Sequence, residues 1–180
     1  MGYEPGDKVS GFSLKNANPS IGGEKVSLDD ILTDNGAVIL FECNHCPYVI
    51  GSIDRINKIA TKAAELGMGF VGINSNDAEM YKDDSFENMA KRADKGMPYA
   101  YLHDETQEVA TSWDAKRTPE FYLLNGERIV VYRGRLDNSP RNPMEATTSD
   151  LSDAMDSLSM GEEPPVNRTE SIGCSVKWKY

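Results

Sequence analysis

Two cysteines separated by two residues are the feature of this 180-residue sequence that most directly implies chemistry. Cys43 and Cys46 enclose Asn44 and His45, which is the CxxC spacing of a dithiol that can close into a disulfide. The third cysteine, Cys174, has no other cysteine near it in the sequence. Three cysteines are too few, and of the wrong parity, for a disulfide scaffold, so we expect redox chemistry rather than cross-linking.

The elements on either side of the pair predict where it lies in the fold. Residues 37–41 form a continuous apolar run of strand length, which predicts a strand buried on both faces. From Val49 to Leu66, apolar residues recur at steps of three and four, which predicts one long helix that stops at Gly67. The pair therefore lies between the end of a strand and the start of a helix.

The start of a helix favours a charged cysteine. Its unpaired amide groups and the positive end of its dipole stabilise a thiolate, which makes Cys43 the expected nucleophile. Cys46, in the first turn, can then attack a mixed disulfide formed on Cys43 and release the partner in reduced form. This exchange needs no bound cofactor, and we assign no metal ligands. We expect Cys174 to stay a free thiol, packed under the C-terminal tail, with an accessory redox or regulatory role as the alternative.

Three influences act on the pKa of Cys43 in this arrangement. The helix start lowers it and a protonated His45 would lower it further, whereas a charged Glu42 directly before the cysteine would raise it. We expect Glu42 to turn toward water, where its charge is screened, so that the pKa falls clearly below the ~8.5 of a free cysteine. In the alternative interpretations His45 is an exposed bystander, and Glu42 or Glu120 accepts a proton from the buried thiol.

Strand and helix patterns alternate along much of the chain, as in a parallel sheet built from right-handed crossovers. The turn at Asn125-Gly126 then joins two strands into an antiparallel hairpin. We therefore expect a single α/β domain at residues 1–160, with a mixed sheet flanked by helices, and a tail at residues 161–180 packed on or near it. The other predicted elements are an N-terminal hairpin turning at Gly22-Gly23, a short helix capped by Ser27 and Asp30, strands at 69–73, 99–102, 121–124 and 128–132, and helices at 85–95, 105–113 and 151–158.

These elements, with the segment Arg117-Thr118-Pro119-Glu120 just before the second hairpin, resemble the thioredoxin superfamily. The N-terminal hairpin and the insertion between residues 74 and 102 are similar to the redoxin branch, which includes AhpC/TSA antioxidant proteins and TlpA/ResA-like thioredoxins. Nearly the whole chain resembles small bacterial thioredoxin-like or thiol-disulfide isomerase proteins of this branch. The resemblance implies a cis bond between Thr118 and Pro119, and a site in which Asn44 and the Thr118 backbone bind an extended substrate.

The residues around the pair depart from two better-defined classes. Thioredoxin itself has Trp before its first cysteine and Gly-Pro between the two, whereas Glu42 and Asn44-His45 stand here. A peroxiredoxin has Pro-x-x-x-Thr-x-x-Cys at its reactive cysteine, whereas Gly36 and Leu40 occupy the proline and threonine positions. We therefore expect a thiol-disulfide oxidoreductase that acts on protein or small-molecule disulfides and is regenerated by an electron-donating reductase system.

Two alternatives remain open. The first is a peroxiredoxin-like thiol peroxidase of the redoxin branch. The second is a non-catalytic metal-binding or scaffold module, in which Cys43, Cys46 and Cys174 would bind zinc with His45 or His103. Structural zinc sites usually take their ligands as two close-spaced pairs, however, and only one such pair exists here.

Composition restricts the partners. The formal net charge of −10 repels phosphate backbones and anionic lipids, so neither nucleic acid nor a membrane surface is an expected partner. No window has the apolar length of a bilayer span, and residues 1–6 lack the basic start and apolar stretch of a signal peptide. We expect a cytoplasmic protein, unless a leader was removed, that is a monomer or a weak dimer.

Overall fold

A computed structural model describes residues 2–180 and contains nine strands and six helices in that part of the chain. Among these residues, no helix combines the length and apolar character needed to cross a membrane. The strands are β1 (Ser13–Asn16), β2 (Lys25–Ser27), β3 (Ala37–Phe41), β4 (Gly69–Asn74), β5 (Ala100–His103), β6 (Arg117–Thr118), β7 (Glu120–Leu124), β8 (Val130–Gly134) and β9 (Cys174–Ser175). The helices are α1 (Leu28–Ile31), α2 (Pro47–Ile50), α3 (Ile53–Glu65), α4 (Phe86–Ala93), α5 (Glu108–Trp113) and α6 (Asp150–Ser159).

The central sheet is mixed, and its seven strands run in the order β2-β1-β5-β4-β3-β7-β8. β3 pairs in parallel with β4 on one side and antiparallel with β7 on the other, and β4 is parallel to β5. The predicted N-terminal hairpin of β1 and β2 extends the sheet, because β1 pairs antiparallel with β5. The predicted α/β class with a thioredoxin-like mixed sheet is confirmed.

Strand β3 is buried on both faces, as predicted. Val38 and Leu40 point into a core shared with α3, α4 and α6, whereas Ile39 and Phe41 point into a second core that contains Trp113 of α5. Because successive side chains of a strand face opposite sides of its sheet, helices cover the sheet on both sides. β3 therefore carries the chain to the CxxC pair from the centre of the molecule.

The single helix predicted from Val49 to Leu66 is wrong, because the structure has two helices, α2 and α3, separated by Gly51 and Ser52. The Ser52 hydroxyl donates to the Tyr48 carbonyl oxygen four residues earlier at 2.8 Å, and to the Pro140 carbonyl oxygen at 2.7 Å. A serine hydroxyl that binds back in this way bends or interrupts a helix. The apolar periodicity continues across the interruption, so the pattern alone gives no sign of it.

The C-terminal tail forms a second, two-stranded sheet with the main domain. β9 pairs antiparallel with β6, and this register places Cys174 opposite Thr118. Beyond β9, the Lys177 N–H donates to the Asn76 side-chain oxygen at 2.9 Å. The tail therefore runs beside the loop that precedes Pro119.

Candidate active site

The CxxC pair connects the end of β3 to the start of α2. Cys46 is the N-cap residue of α2, and its carbonyl oxygen accepts the N–H groups of Val49 and Ile50 at 3.0 and 2.9 Å. Cys43 lies in the loop before the helix. The free amide groups at the helix start therefore lie near Cys46 rather than Cys43, contrary to the expectation from the sequence. Both side chains are buried, with 1% exposure for Cys43 and 0% for Cys46.

The surroundings of Cys46 stabilise a thiolate. Hydrogen bonds from the Cys43 thiol, from the thiol and backbone N–H of Cys174, and from the Val49 N–H lower the pKa of Cys46 to about 4. Burial opposes this shift, because it disfavours the charged form. The donors outweigh the burial, so the pKa of Cys46 is lowered.

Cys43 has the opposite surroundings. Its hydrogen bond to Cys46, its burial and the charge of Asp84 raise the pKa of Cys43, whereas the Thr118 hydroxyl, with Oγ1 3.3 Å from the sulfur, lowers it. The two thiols share one proton, and their ionisations are coupled. The prediction of a lowered pKa for Cys43 is wrong in this conformation, because the helix-start donors act on the other sulfur.

Asp84 is a residue of the site that no sequence pattern predicts. Its side chain is fully buried at the end of a 3-10 turn and accepts the Asn44 N–H at 2.7 Å. The side-chain amides of Asn74 and Asn76 donate to its two oxygens at 3.1 and 3.0 Å. In the sequence Asp84 follows another aspartate, and an acidic pair of this kind is usually solvated, so no signal marks it.

His45 lies beside this buried carboxylate. Its Nδ1 is 2.6 Å from the nearer Asp84 oxygen, and its ring stacks on that of Tyr81 with the centroids 5.9 Å apart. One potential ligand atom from each of Cys43, His45 and Asp84 lies within 4.8 Å of the other two. These sulfur, nitrogen and oxygen atoms are donors of the kinds that bind zinc. The set differs from the zinc ligands considered above, since Asp84 is included and His103 is not part of this group.

Glu42 is buried, which corrects the expectation that it turns toward water. It has 0% exposure, and its two oxygens bind Arg92 Nη2 and the Tyr99 hydroxyl, each at 2.6 Å. Arg92 also donates to the Cys43 carbonyl oxygen at 3.3 Å. Gly72 passes so close that a Cβ there would lie 2.3 Å from the Glu42 carboxylate. Because Arg92 balances its charge, Glu42 positions the loop before the cysteine pair and does not repel a thiolate.

Glu120, the other acidic residue considered as a proton acceptor, is also buried in an ion pair. Its Oε2 accepts Arg133 Nε at 3.0 Å, and its Oε1 accepts the Lys116 N–H at 2.7 Å. Both carboxylate oxygens are therefore committed to the backbone and to a cation. Glu120 stabilises the loop around the proline.

The loop that contains Thr118 and Pro119 faces the two sulfurs, and the peptide bond between these residues is cis. The Cys46 sulfur lies 3.4 Å from the Thr118 carbonyl oxygen. The side chain of Asn44 points inward, where its oxygen accepts the Tyr101 hydroxyl at 2.7 Å. The backbone edge of Thr118 is already paired with β9. An extended substrate can use that edge only after β9 has moved.

Cys174 completes a row of three sulfurs. Its thiol and its backbone N–H both act on the Cys46 sulfur and lower its pKa, as the Cys43 thiol also does. All three cysteines are free thiols, and Cys174 is half-buried. No sequence pattern indicates a partner for Cys174, because only the pairing of β9 with β6 brings it to the site.

Comparison with known proteins is consistent with this architecture. The family model described as Redoxin matches residues 4–154. An uncharacterized conserved protein from Geobacillus kaustophilus has 43% identity and a TM-score of 0.90, over 98% of this chain and 93% of that chain. A hypothetical protein from Sinorhizobium meliloti 1021 has 31% identity and a TM-score of 0.89, over 99% of this chain and 97% of that chain. No curated protein matches the chain.

More distant structures share the fold. A secreted Mycobacterium tuberculosis disulfide oxidoreductase, homologous to DsbE of E. coli, has 16% identity and a TM-score of 0.58, over 80% of this chain and 92% of that chain. Fold and family together identify a thioredoxin-like redox protein. The chain belongs to the Redoxin family, which confirms the resemblance to the redoxin branch of the thioredoxin superfamily.

Proposed function

We propose that this protein is a thiol-disulfide oxidoreductase in which Cys43 and Cys46 are the dithiol-disulfide couple. The observation that carries the proposal is that both sulfurs contact Thr118 of the cis-proline loop, Cys43 Sγ at 3.3 Å from its hydroxyl oxygen and Cys46 Sγ at 3.4 Å from its carbonyl oxygen. Two sulfurs that contact the same residue lie close together and can form a disulfide, and the Thr118 groups can orient an incoming sulfur. The couple itself supplies two electrons, and no cofactor is required.

The reaction proceeds by two exchanges. Cys43 transfers its proton to Cys46 along their hydrogen bond, and the resulting Cys43 thiolate attacks the substrate disulfide. A mixed disulfide forms on Cys43, and the first substrate thiolate leaves and takes a proton from Cys46. The Cys46 thiolate then attacks the Cys43 sulfur, which forms the Cys43–Cys46 disulfide and releases the second substrate thiolate. A dithiol reductant restores the pair.

Cys43 is the entry sulfur in this scheme because of the order of the three sulfurs. Cys46 accepts hydrogen bonds from Cys43 and Cys174 and lies against the Thr118 carbonyl oxygen, so protein groups surround its sulfur. A central sulfur can resolve a disulfide on its neighbour without leaving its place. Cys43 lies at the end of the row, and a substrate can reach its sulfur after β9 moves.

The test is a trapping experiment with a disulfide-containing protein. At alkaline pH, where Cys43 ionises without Cys46 as proton acceptor, Cys46→Ser should accumulate a mixed disulfide on Cys43, because the resolving sulfur is missing, whereas Cys43→Ser should accumulate none at Cys46. Both variants should lose catalytic turnover, and circular dichroism should show that both remain folded. Turnover by folded Cys43→Ser at the wild-type rate would refute the proposal.

A thiol peroxidase is the second candidate, and one contact favours it. The Thr118 hydroxyl lies 3.3 Å from the Cys43 sulfur and could polarise a bound peroxide, although Leu40, where a peroxiredoxin has threonine, is buried in β3. We expect disulfide reduction to be faster than hydrogen peroxide reduction at equal substrate concentration. Thr118→Val separates the two functions, because it removes the hydroxyl and keeps the backbone that would pair with a peptide substrate. Faster peroxide turnover that Thr118→Val abolishes would make the protein a peroxidase.

A further inference from the structure

We infer that Cys174 is a third redox residue, which takes over the disulfide from the motif so that a Cys46–Cys174 bond replaces the Cys43–Cys46 bond. The inference rests on the proposed function, because the motif disulfide must form first. It assigns to the tail a chemical step that the CxxC motif alone does not include.

The register of the small sheet holds Cys174 at the site. β9 pairs with β6 so that Cys174 lies opposite Thr118, whose carbonyl oxygen is also 3.4 Å from the Cys46 sulfur. Gly173 fits closely against the same carbonyl, since a Cβ there would lie only 2.0 Å from the Thr118 oxygen. Any other residue at position 173 would push β9 away from the loop.

Hydrogen bonds of the residues that follow β9 hold the strand in this register. The Val176 N–H donates to the Lys116 carbonyl oxygen at 3.0 Å, and the Asp77 N–H donates to the Lys177 carbonyl oxygen at 2.8 Å. Val176 is buried, and it packs the tail against the domain. Cys174 is therefore held at the Cys46 sulfur by its own backbone and by the residues that follow it.

The step is a balanced thiol-disulfide exchange. Cys174 loses its proton to water, and its thiolate attacks the Cys46 sulfur of the Cys43–Cys46 disulfide. The bond between Cys46 and Cys174 forms, the bond between Cys43 and Cys46 breaks, and Cys43 leaves with the electron pair and takes up a proton. No external oxidant or reductant takes part, because one disulfide is exchanged for another.

The electrostatics of the oxidised protein favour this attack more than those of the reduced protein. In the reduced protein, burial and the neighbouring Cys46 raise the pKa of Cys174 to about 11. A Cys46 sulfur in a disulfide carries no negative charge, so the effect of that neighbour is removed once the motif is oxidised. The attacking thiolate is therefore easier to form when it has a disulfide to attack.

The exchange brings the oxidised sulfurs toward the surface. Cys43 and Cys46 are both buried while β9 is in place, so an external dithiol reductant reaches a bond between them only when β9 opens. Cys174 is half-buried, so a bond that includes it presents one sulfur that a reductant can reach. The relay thus links a buried reaction centre to an electron donor in solution.

Three single-serine variants, each with two cysteines left, test the inference. Each is oxidised with oxidised glutathione, and its free thiols are counted and its disulfides mapped by mass spectrometry. We expect Cys43→Ser to lose both free thiols to a Cys46–Cys174 bond. We expect Cys174→Ser to lose both to a Cys43–Cys46 bond. Cys46→Ser is the matched control and should form no intramolecular bond, since the central sulfur is missing.

The outcomes separate this inference from the proposed function. If Cys174→Ser forms its disulfide while folded Cys43→Ser keeps two free thiols, the relay is refuted and the proposed function stands. If Cys174→Ser forms no disulfide, the proposed function itself fails. Disulfide mapping of wild type under limiting oxidant removes the dependence on variant folding. A Cys46–Cys174 bond there supports the relay, and motif disulfide alone at every oxidant concentration refutes it.

Discussion

Replacing Cys46 by serine tests which sulfur carries the negative charge in the reduced protein. Cys46 accepts hydrogen bonds from two thiols and two backbone N–H groups, those of Val49 and Cys174, whereas Cys43 accepts one from the Thr118 hydroxyl. A hydrogen bond to a charged group contributes about 1.5–3 kcal/mol, and one pKa unit corresponds to about 1.4 kcal/mol. Each additional donor therefore lowers the pKa of Cys46 by roughly one to two units.

Three additional donors separate the two sulfurs by several pKa units, and the charge of Asp84 adds to the separation because it acts against a thiolate on Cys43. At neutral pH, reduced wild type should hold one thiolate, located on Cys46. Cys46→Ser should hold none, because the pKa of Cys43 remains above that of a free cysteine through burial and Asp84. Cys43→Ser should keep its thiolate, because the donors from Val49 and Cys174 remain.

Ultraviolet thiolate absorbance, measured against pH on the reduced proteins, counts the ionised sulfurs directly without requiring access to them. A titration of each variant against the same protein alkylated after denaturation corrects for tyrosine. If Cys46→Ser retained a thiolate at neutral pH and Cys43→Ser lost it, the helix start would act on Cys43 and our assignment of the charge would be refuted.

Three further perturbations have defined outcomes. Arg92→Met leaves the buried Glu42 carboxylate unpaired and should lower the free energy of unfolding in urea by about 3–5 kcal/mol. Adding Glu42→Gln to this variant should recover most of the loss. Equal stability of Arg92→Met and wild type would contradict the pairing. Because folding lowers the pKa of Cys46, the contribution of this thiolate to the stability of the reduced protein should be complete above pH ~8.5 and should disappear as the pH falls toward about 4. A stability difference between wild type and Cys46→Ser that does not change with pH would refute this linkage. His45→Ala removes the partner of the Asp84 carboxylate, whose negative charge then destabilises the nearby thiolate more strongly. The reduction potential, measured against glutathione, should fall by about 30 mV for each unit by which the thiol pKa rises. Adding Asp84→Asn should cancel that fall, and a potential that His45→Ala leaves unchanged would make the histidine a bystander.

Elements defined by an apolar pattern could be predicted from the sequence, because burial imposes the pattern. β3 is the clearest example, since each of its five residues is buried. The limits of the β7–β8 hairpin are less predictable. The apolar pattern predicts its second strand at 128–132, but the strand spans Val130–Gly134. The Asn125 side chain accepts the N–H groups of Glu127 and Ile129 at 2.9 and 3.0 Å, and Arg128 has φ 66°, which lengthens the turn. This longer turn depends on one side chain, which the apolar pattern does not describe.

The site was predictable only where its residues are local in sequence. CxxC and Thr-Pro are short motifs, and both lie at the sulfur centre. Asp84, Arg92 and Cys174 reach that centre through a 3-10 turn, α4 and β9, and no residue adjacent to them in sequence indicates this. The expectation that Glu42 is solvated failed for the same reason. An acidic residue is normally exposed unless a cation is buried with it, and that cation lies on a distant helix.

The burial of both motif sulfurs restricts the order of events in catalysis. β9 has two residues, and such short elements open at much lower free energy than the central strands. A substrate strand that pairs with Thr118 must take the same backbone edge, so it and β9 exclude each other. In the proposed mechanism, Cys174 is therefore away from Cys46 while a mixed disulfide exists on Cys43, and it cannot compete with the substrate for the resolving sulfur. It returns only when the substrate has left and the motif disulfide is complete, which is the state that the relay requires.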